Sequence, residues 1–171
     1  MGFNIAGIVI NSNFDHDINK FIKETGFSIK LEREISPEEL RENWTAEGIY
    51  RVQFTDIGTV VFLNFQECLD GQYLDGYNVM TFTYSETSSM LLFLTYYEGQ
   101  VQRRRIMEDD LIKKVDEGVP LNIDSDKKGE ELSEILFELF ETILGKSFFL
   151  LDDTFASYQF KRVPRRQKRT K

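Results

Sequence analysis

The chain has 171 residues, of which 41% are hydrophobic and 13% aromatic. This length is typical of one domain and the apolar content suffices for a core, so global disorder is excluded and two domains are disfavoured. The net charge of −8 hides a segregation, because residues 161–171 hold seven Lys or Arg and no acid. The remaining 14 basic and 29 acidic residues give residues 1–160 a net charge of −15. We predict one domain over residues 1–160 and a flexible basic tail over 161–171.

The N-terminal part of the chain predicts a strand, a helix and a second strand. Residues 3–10 form an almost continuous apolar run, which is typical of a central strand buried on both faces. Apolar residues at helical spacing over 14–22, with a stop at Gly26, predict a short helix. Residues 28–35 alternate as a half-buried strand does, which places Ile35 on the same face as the earlier apolar residues of that strand.

The clearest local signal is a helix start at Ser36. Ser36 and Glu39 have the spacing of a capping box, and Pro37 occupies the first helical position, where its missing N–H costs nothing. These signals predict a short helix that continues through Trp44.

The centre of the chain predicts antiparallel sheet. Alternating segments separated by turn residues predict strands joined mostly by hairpins, at 49–55, 59–65, 78–85, 89–97 and 100–107. Residues 108–129 are rich in Asp, Lys and Gly, which predicts a partly mobile connection with one short element at 111–115.

The strongest helix signal lies near residues 130–144, where a wide apolar stripe ends at a glycine suited to a C-cap. Residues 157–163 predict a last strand, which Pro164 ends. Together these elements predict the α+β class, a mainly antiparallel sheet of about six to eight strands packed on one face by two or three helices.

Motifs for metal and phosphate binding are incomplete. Residues 122–126 resemble the start of an EF-hand loop, but Lys127 stands where that loop requires glycine. Residues 145–147, Gly-Lys-Ser, follow a predicted helix instead of opening one, so their amide groups are not placed as in a phosphate loop. We predict no cofactor and no metal.

His16 and Cys68 are the only histidine and cysteine. We expect His16 at the surface near a helix start, and Cys68 as a small buried hydrophobe without a catalytic signature around it. A single thiol suits a reducing compartment, and the N-terminal apolar run is too short for a signal peptide or a membrane span. The sequence thus favours a non-enzymatic, cytoplasmic protein without membrane insertion.

Charged clusters supply the candidate sites. The candidates for binding a partner are Glu108, Asp109, Asp110, Glu134, Glu138 and Glu141, the last three on one face of the predicted long helix. The candidates for binding an anion are Arg103, Arg105, Arg165, Arg166, Lys168 and Arg169. Arg103 and Arg105 share a strand face, where pairing with acids of the domain is an equally good interpretation.

These observations favour an interaction protein whose acidic domain engages a basic protein partner. In size and composition the chain resembles bacterial toxin-immunity proteins, which cover basic active-site surfaces, although no family motif carries the likeness. One alternative is a small-ligand binder or enzyme with a pocket over the sheet, lined by Tyr84, Tyr96, Tyr97 and an arginine. Another is association with nucleic acid through the tail, which the net −15 of the domain opposes.

Overall fold

The computed structural model describes residues 4–42, 45–69, 72, 74–86, 91–98, 101–108, 112–118, 132–151 and 154–164. Within these residues nine strands form one sheet, in which every hydrogen-bonded pair is antiparallel. The strands are β1 Asn4–Ile10, β2 Ile29–Ile35, β3 Ile49–Phe54, β4 Thr59–Phe62, β5 Val79–Ser85, β6 Leu91–Glu98, β7 Val101–Glu108, β8 Ile112–Gly118 and β9 Ser157–Arg162. Their order across the sheet is β2-β9-β3-β4-β1-β5-β6-β7-β8.

The described residues also contain three α-helices, α1 Ile18–Thr25, α2 Pro37–Leu40 and α3 Leu132–Leu144. The predicted α+β class is therefore confirmed, as are the mainly antiparallel sheet and the long helix near residues 130–144. Gly145 caps α3 in the left-handed region with φ of 73°, and its N–H donates to the carbonyl of Glu141 at 2.8 Å. That is the role the sequence predicts for this glycine.

The central position predicted for β1 is also confirmed. β1 is the fifth of the nine strands, and all seven of its residues are buried. Successive side chains alternate between the two faces of the sheet, so that Ile5 and Val9 join one core while Ala6 and Ile8 join the other. A continuous apolar run is what a strand covered on both faces requires.

Helices cover both faces of the sheet, so the prediction that they pack on one face is wrong. α3 packs on the first face, where Phe140 meets Phe82 of β5 with the ring centroids 6.0 Å apart. α1 packs on the second face, where Phe21 meets Phe54 of β3 at 5.5 Å. The central strands are apolar on both sides, and each side needs its own cover.

A β-bulge in β2 changes the face on which Ile35 lies. The pairing with β9 shifts between Leu31 and Arg33, which lie opposite the consecutive residues Phe160 and Gln159. The extra residue reverses the alternation, so Ile35 joins the core under α3 instead of the core under α1. The prediction that Ile35 shares a face with the earlier apolar residues of this strand is therefore wrong.

α2 begins as the sequence predicts and ends earlier. The Glu39 N–H donates to Ser36 Oγ at 3.2 Å, and the Ser36 N–H donates to Glu39 Oε2 at 3.1 Å, which completes the capping box. The helix ends at Leu40, the last apolar residue that could hold it against the sheet before Trp44. Trp44 itself lies outside the described residues.

The first helix starts later than predicted. Residues Phe14–His16 form a short 3₁₀ turn with φ of 48°, 55° and 56°, in the left-handed region that non-glycine residues rarely adopt. α1 then starts behind Asp17, whose carboxylate accepts from the N–H groups of Asn19 and Lys20 at 2.8 Å and 3.0 Å. The predicted stop at Gly26 is confirmed, because Gly26 caps the helix with φ of 69°.

Part of the predicted connection over 108–129 is a strand. β8, Ile112–Gly118, pairs with β7 and forms the far edge of the sheet, which brings the number of strands to nine. Its charged composition is typical of an edge strand, where polar side chains discourage pairing with other chains. Residues 109–111 and 119–131 lie outside the described residues.

Candidate functional site

Three of the predicted partner-binding acids lie on one side of α3. Glu134 and Glu141 are exposed and Glu138 is half-buried. Their spacing of four and three residues puts them on neighbouring turns of one helix face. This face points away from the sheet, because Leu136, Leu139 and other apolar residues of α3 occupy the opposite side.

Two large apolar side chains are exposed after the end of α3. In the 3₁₀ turn Phe148–Leu150, Phe149 and Leu150 are 53% and 63% exposed, whereas Phe148 and Leu151 are both 1% exposed and belong to the core. Ser147 begins the turn, and its Oγ accepts from the Phe149 N–H at 3.3 Å. The buried pair fixes the turn to the domain and leaves the exposed pair in solvent.

Phe149, one of the two exposed apolar residues, adjoins the acidic side of α3. The Phe149 ring packs against Phe137 of α3 at 5.0 Å and against Phe148 at 5.3 Å. Glu138 and Glu141 line a shallow hollow together with Phe137 and Phe149. We call this feature the α3 surface, which consists of Glu134, Phe137, Glu138, Glu141, Phe149 and Leu150.

The prediction from sequence named the acids of the α3 surface and missed its apolar residues. The missed signal is the run Phe148 to Leu151, four large apolar residues directly after a helix cap. A single tight turn cannot bury four such side chains in succession, because consecutive residues point in different directions. Such a run indicates that some of its members are exposed.

The other predicted site residues lie on a different element from α3 or outside the described residues. Glu108, Arg103 and Arg105 lie in β7, where the register places Arg105 opposite Asp116 of β8. Several candidates are not among the described residues, namely Asp109, Asp110, Arg165, Arg166, Lys168 and Arg169. The structure thus leaves association of the tail with nucleic acid as a prediction.

The pocket predicted at Tyr84, Tyr96 and Tyr97 is not found at Tyr84. Tyr84 is 6% exposed and packs under α3, with its ring 5.4 Å from that of Phe137. Tyr96 and Tyr97 lie in β6, whose side chains are outside the described part of the structure.

A separate cleft lies near the β2 edge of the sheet, on the face that α1 covers. It is centred on Tyr50 of β3, Glu67 of the 3₁₀ turn Phe65–Cys68, and Arg162 at the end of β9. The carboxylate of Glu67 forms an ion pair with Arg162 Nη2 and accepts from the Tyr50 hydroxyl at 3.2 Å. The guanidinium lies over the Tyr50 ring, 5.9 Å from its centroid. Sequence reasoning named Arg162 only as part of the flexible basic tail, whereas it is the last residue of β9, and it singled out neither Tyr50 nor Glu67 for a site.

His16 and Cys68 lie outside both features. His16 is exposed, and its Nε2 donates to the Thr55 carbonyl at 2.8 Å, so it holds the left-handed turn against the β3–β4 hairpin. Cys68 is 1% exposed, and burial raises the pKa of its thiol to about 12. A thiol in that state is a packed hydrophobe and not a nucleophile at neutral pH.

Within the described ranges, no group of three His, Cys, Asp or Glu side chains is placed to hold a metal ion. In the same part of the chain, no helix has both the length and the apolar character needed to cross a membrane. The chain matches no known protein-family model, no curated protein and no solved structure.

Proposed function

We propose that this is a non-enzymatic binding protein that engages a basic protein partner through the α3 surface. The observation that carries the proposal is the exposure of Phe149 beside the acids of α3, with Leu150 exposed next to it in the same turn. An inhibitor that covers a basic active-site surface, as toxin-immunity proteins do, is one form of this function. The proposal is consistent with the predicted cytoplasmic location.

The apolar part of the surface supplies an anchor. Exposed large apolar side chains grouped on a folded domain are a common mark of interaction sites. Phe149 is held on its inner side by Phe137 and Phe148 and exposes the remainder of its ring. An aromatic residue whose rotamer is already restricted loses little entropy on binding and is a frequent energetic centre of an interface.

The acidic part of the surface selects the partner. Glu138 and Glu141 flank the hollow beside Phe149, and Glu134 lies one turn further along the helix. Carboxylates around an apolar centre favour a partner with Lys or Arg around an apolar residue, and they repel an acidic one. The net −15 of residues 1–160 adds long-range attraction for the same partner.

A defined probe tests this proposal. A fluorescein-labelled amphipathic peptide with Leu on one face and Lys on the other can be titrated with the protein by anisotropy at low and high salt. We expect Glu141→Lys to weaken binding at low salt by about tenfold or more, and Leu150→Ser to weaken it at both salt concentrations, because its contribution is apolar. Both residues are exposed, so thermal unfolding should change little.

Glu34→Lys is the matched control. Glu34 is an exposed glutamate on β2, at the far edge of the sheet from β8, and its replacement changes the net charge by the same amount. We expect this variant to bind the peptide nearly as the wild type does. If the Glu34 and Glu141 variants lost the same amount of affinity for the peptide, net charge alone would attract it. The α3 surface would then not be a specific binding site.

A further inference from the structure

We propose that the cleft at Tyr50, Glu67 and Arg162 binds a small planar nitrogen heterocycle that presents two adjacent N–H donors beside a carbonyl acceptor, as guanine does. This would be a second function, independent of the α3 surface. The two features are on opposite faces of the sheet, because Tyr50 belongs to the core under α1 and the α3 surface covers the other core.

The cleft has the dimensions of a small-molecule site. Its volume is about 460 Å³, within the range of pockets that hold small ligands. Gly26 and Phe27 at the end of α1 and Val163 and Pro164 after β9 line the same rim, because the Val163 N–H donates to the Ser28 carbonyl at 2.8 Å. A Cβ at Gly26 would meet no atom within 4 Å, so the glycine borders open space at this rim.

The walls of the cleft suit a flat ring. Tyr50 is only 8% exposed and packs against Phe27, with the ring centroids 5.6 Å apart, and against the Arg162 guanidinium. The flat groups open to a ligand are therefore the half-buried Phe27 ring and the guanidinium of Arg162, whose side chain is 42% exposed. Aromatic rings and guanidinium planes both stack on heterocycles, and stacking of this kind accepts any planar ligand. The walls therefore favour a planar molecule without selecting which one.

The ion pair supplies the selectivity. A carboxylate only accepts hydrogen bonds and a guanidinium only donates them, so Glu67 and Arg162 present an acceptor next to a donor. The complementary ligand edge has N–H groups for the carboxylate and a carbonyl or ring nitrogen for the guanidinium. Guanine meets this requirement, since arginine binds its O6 and N7 and its ring N–H and amino group form an adjacent pair of donors.

Glu67 offers such a ligand one carboxylate oxygen. Its side chain is 16% exposed, and its Oε1 accepts from both Arg162 and Tyr50. Oε2 is covered and has no hydrogen-bond partner among the described residues. Because rotation of the carboxylate only exchanges the two oxygens, a ligand N–H in the cleft takes the place of the Tyr50 hydroxyl on the oxygen beside Arg162.

The charge of the domain favours a free small molecule over a nucleic acid. Residues 1–160 carry a net −15, which repels a polyphosphate chain, whereas residues 161–171 carry seven basic side chains that attract one. The charge of Arg162 itself is balanced by Glu67. A neutral heterocycle or nucleoside gains the stacking and hydrogen bonds of the cleft without that repulsion.

Guanosine and adenosine are suitable probes because they share ring size and ribose and differ in the hydrogen-bonding edge. We expect saturation-transfer NMR to show guanosine bound to the wild-type protein, and calorimetry to show adenosine binding at least tenfold more weakly. Glu67→Gln should weaken guanosine binding by about tenfold or more, because it removes the charged acceptor. Glu34→Gln, the same exchange at an exposed residue of β2 that does not line the cleft, should leave it unchanged.

Four outcomes would overturn the proposal. These are no saturation transfer at millimolar guanosine, equal affinity for the two nucleosides, no loss in the Glu67 variant, and tighter binding of a guanine-containing single-stranded oligonucleotide than of guanosine. If Glu67→Gln does not fold, as judged by circular dichroism, Arg162→Lys provides the test. It keeps the charge and removes the planar fork, so the preference for guanosine over adenosine should be lost, and a retained preference would refute the proposal.

Discussion

Replacing Gly7 with alanine should destabilise the protein severely, because Gly7 lies where the central strand touches its neighbour. A Cβ built on Gly7 would lie 2.2 Å from the carbonyl oxygen of Val61 and 3.1 Å from the Cα of Phe62. Both atoms belong to the backbone of β4, so no side-chain rotation relieves the overlap. Gly7 also pairs with Phe62 on one side and Phe82 on the other, and the rings of these residues meet edge to face at 6.3 Å.

We expect Gly7→Ala to lower the free energy of unfolding by about 3 kcal/mol, because the two strands must separate to make room for the Cβ. This value is at the upper end of the usual range for overpacking. For a chain of 171 residues this lowers the melting temperature by about 6 to 12 °C. Phe82 supports Phe140 of α3, so the variant should also bind the basic peptide more weakly. Thermal unfolding followed by circular dichroism measures the first effect and anisotropy the second.

Gly76→Ala is the control for this substitution. Gly76 has φ of 80° and no atom within 4 Å of a built Cβ, so its replacement adds backbone strain and no overlap. We expect Gly76→Ala to lower the free energy of unfolding by about 1 kcal/mol. If Gly7→Ala unfolded at the same temperature as wild type, or at that of the Gly76 variant, the close approach of β1 and β4 would not exist as described.

Two further predictions concern single titratable groups. Cys68, buried with a thiol pKa of about 12, should react with a disulfide reagent at pH 8 only as fast as the protein unfolds, and reaction at the rate of a free thiol would contradict its burial. A hydrogen bond from Arg33, and a second from the Ser36 N–H, lower the pKa of Glu39 from 4.5 to about 2. Because this pKa is lowered by folding, the stabilisation from Glu39 is complete above pH 4.5 and disappears between pH 4.5 and 2. The difference in melting temperature between wild type and Glu39→Gln should shrink over that interval, and a constant difference would exclude the ionised pair as its cause.

The elements that sequence predicts best are those fixed by neighbouring residues. The capping box at Ser36 and Glu39 forms with the hydrogen bonds that its spacing implies. Gly26 and Gly145 end their helices in the left-handed conformation, where glycine has no steric penalty. The continuous apolar run of β1 gives its central position, because no other environment buries both faces of a strand.

The features that sequence does not predict depend on the pairing partner of a segment. The bulge in β2 exists only in relation to β9, and nothing within residues 29–35 shows that the alternation reverses before Ile35. β8 extends over Ile112–Gly118 because β7 offers it an edge, whereas its own residues predict only a short element at 111–115 within a connection. Likewise, the exposure of Phe149 depends on which members of its run α3 and the sheet can bury.

The cleft depends most strongly on pairing between segments that are distant in sequence. Tyr50 and Arg162 are separated by 112 positions in sequence and have their polar groups 3.3 Å apart. They meet because β9 inserts between β2 and β3, far from its sequence neighbours. Neither residue stands in a local motif, so no window of sequence indicates that they share a site with Glu67.

The insertion of β9 also determines where the basic end of the chain begins. β9 ends at Arg162, and Pro164 forms part of the rim of the cleft, so this end of β9 lies on the cleft side of the sheet. The acids of the α3 surface lie on the opposite side, over the other core. Arg162 and these acids are therefore on different faces of the sheet, and a partner on the α3 surface would not meet a ligand in the cleft.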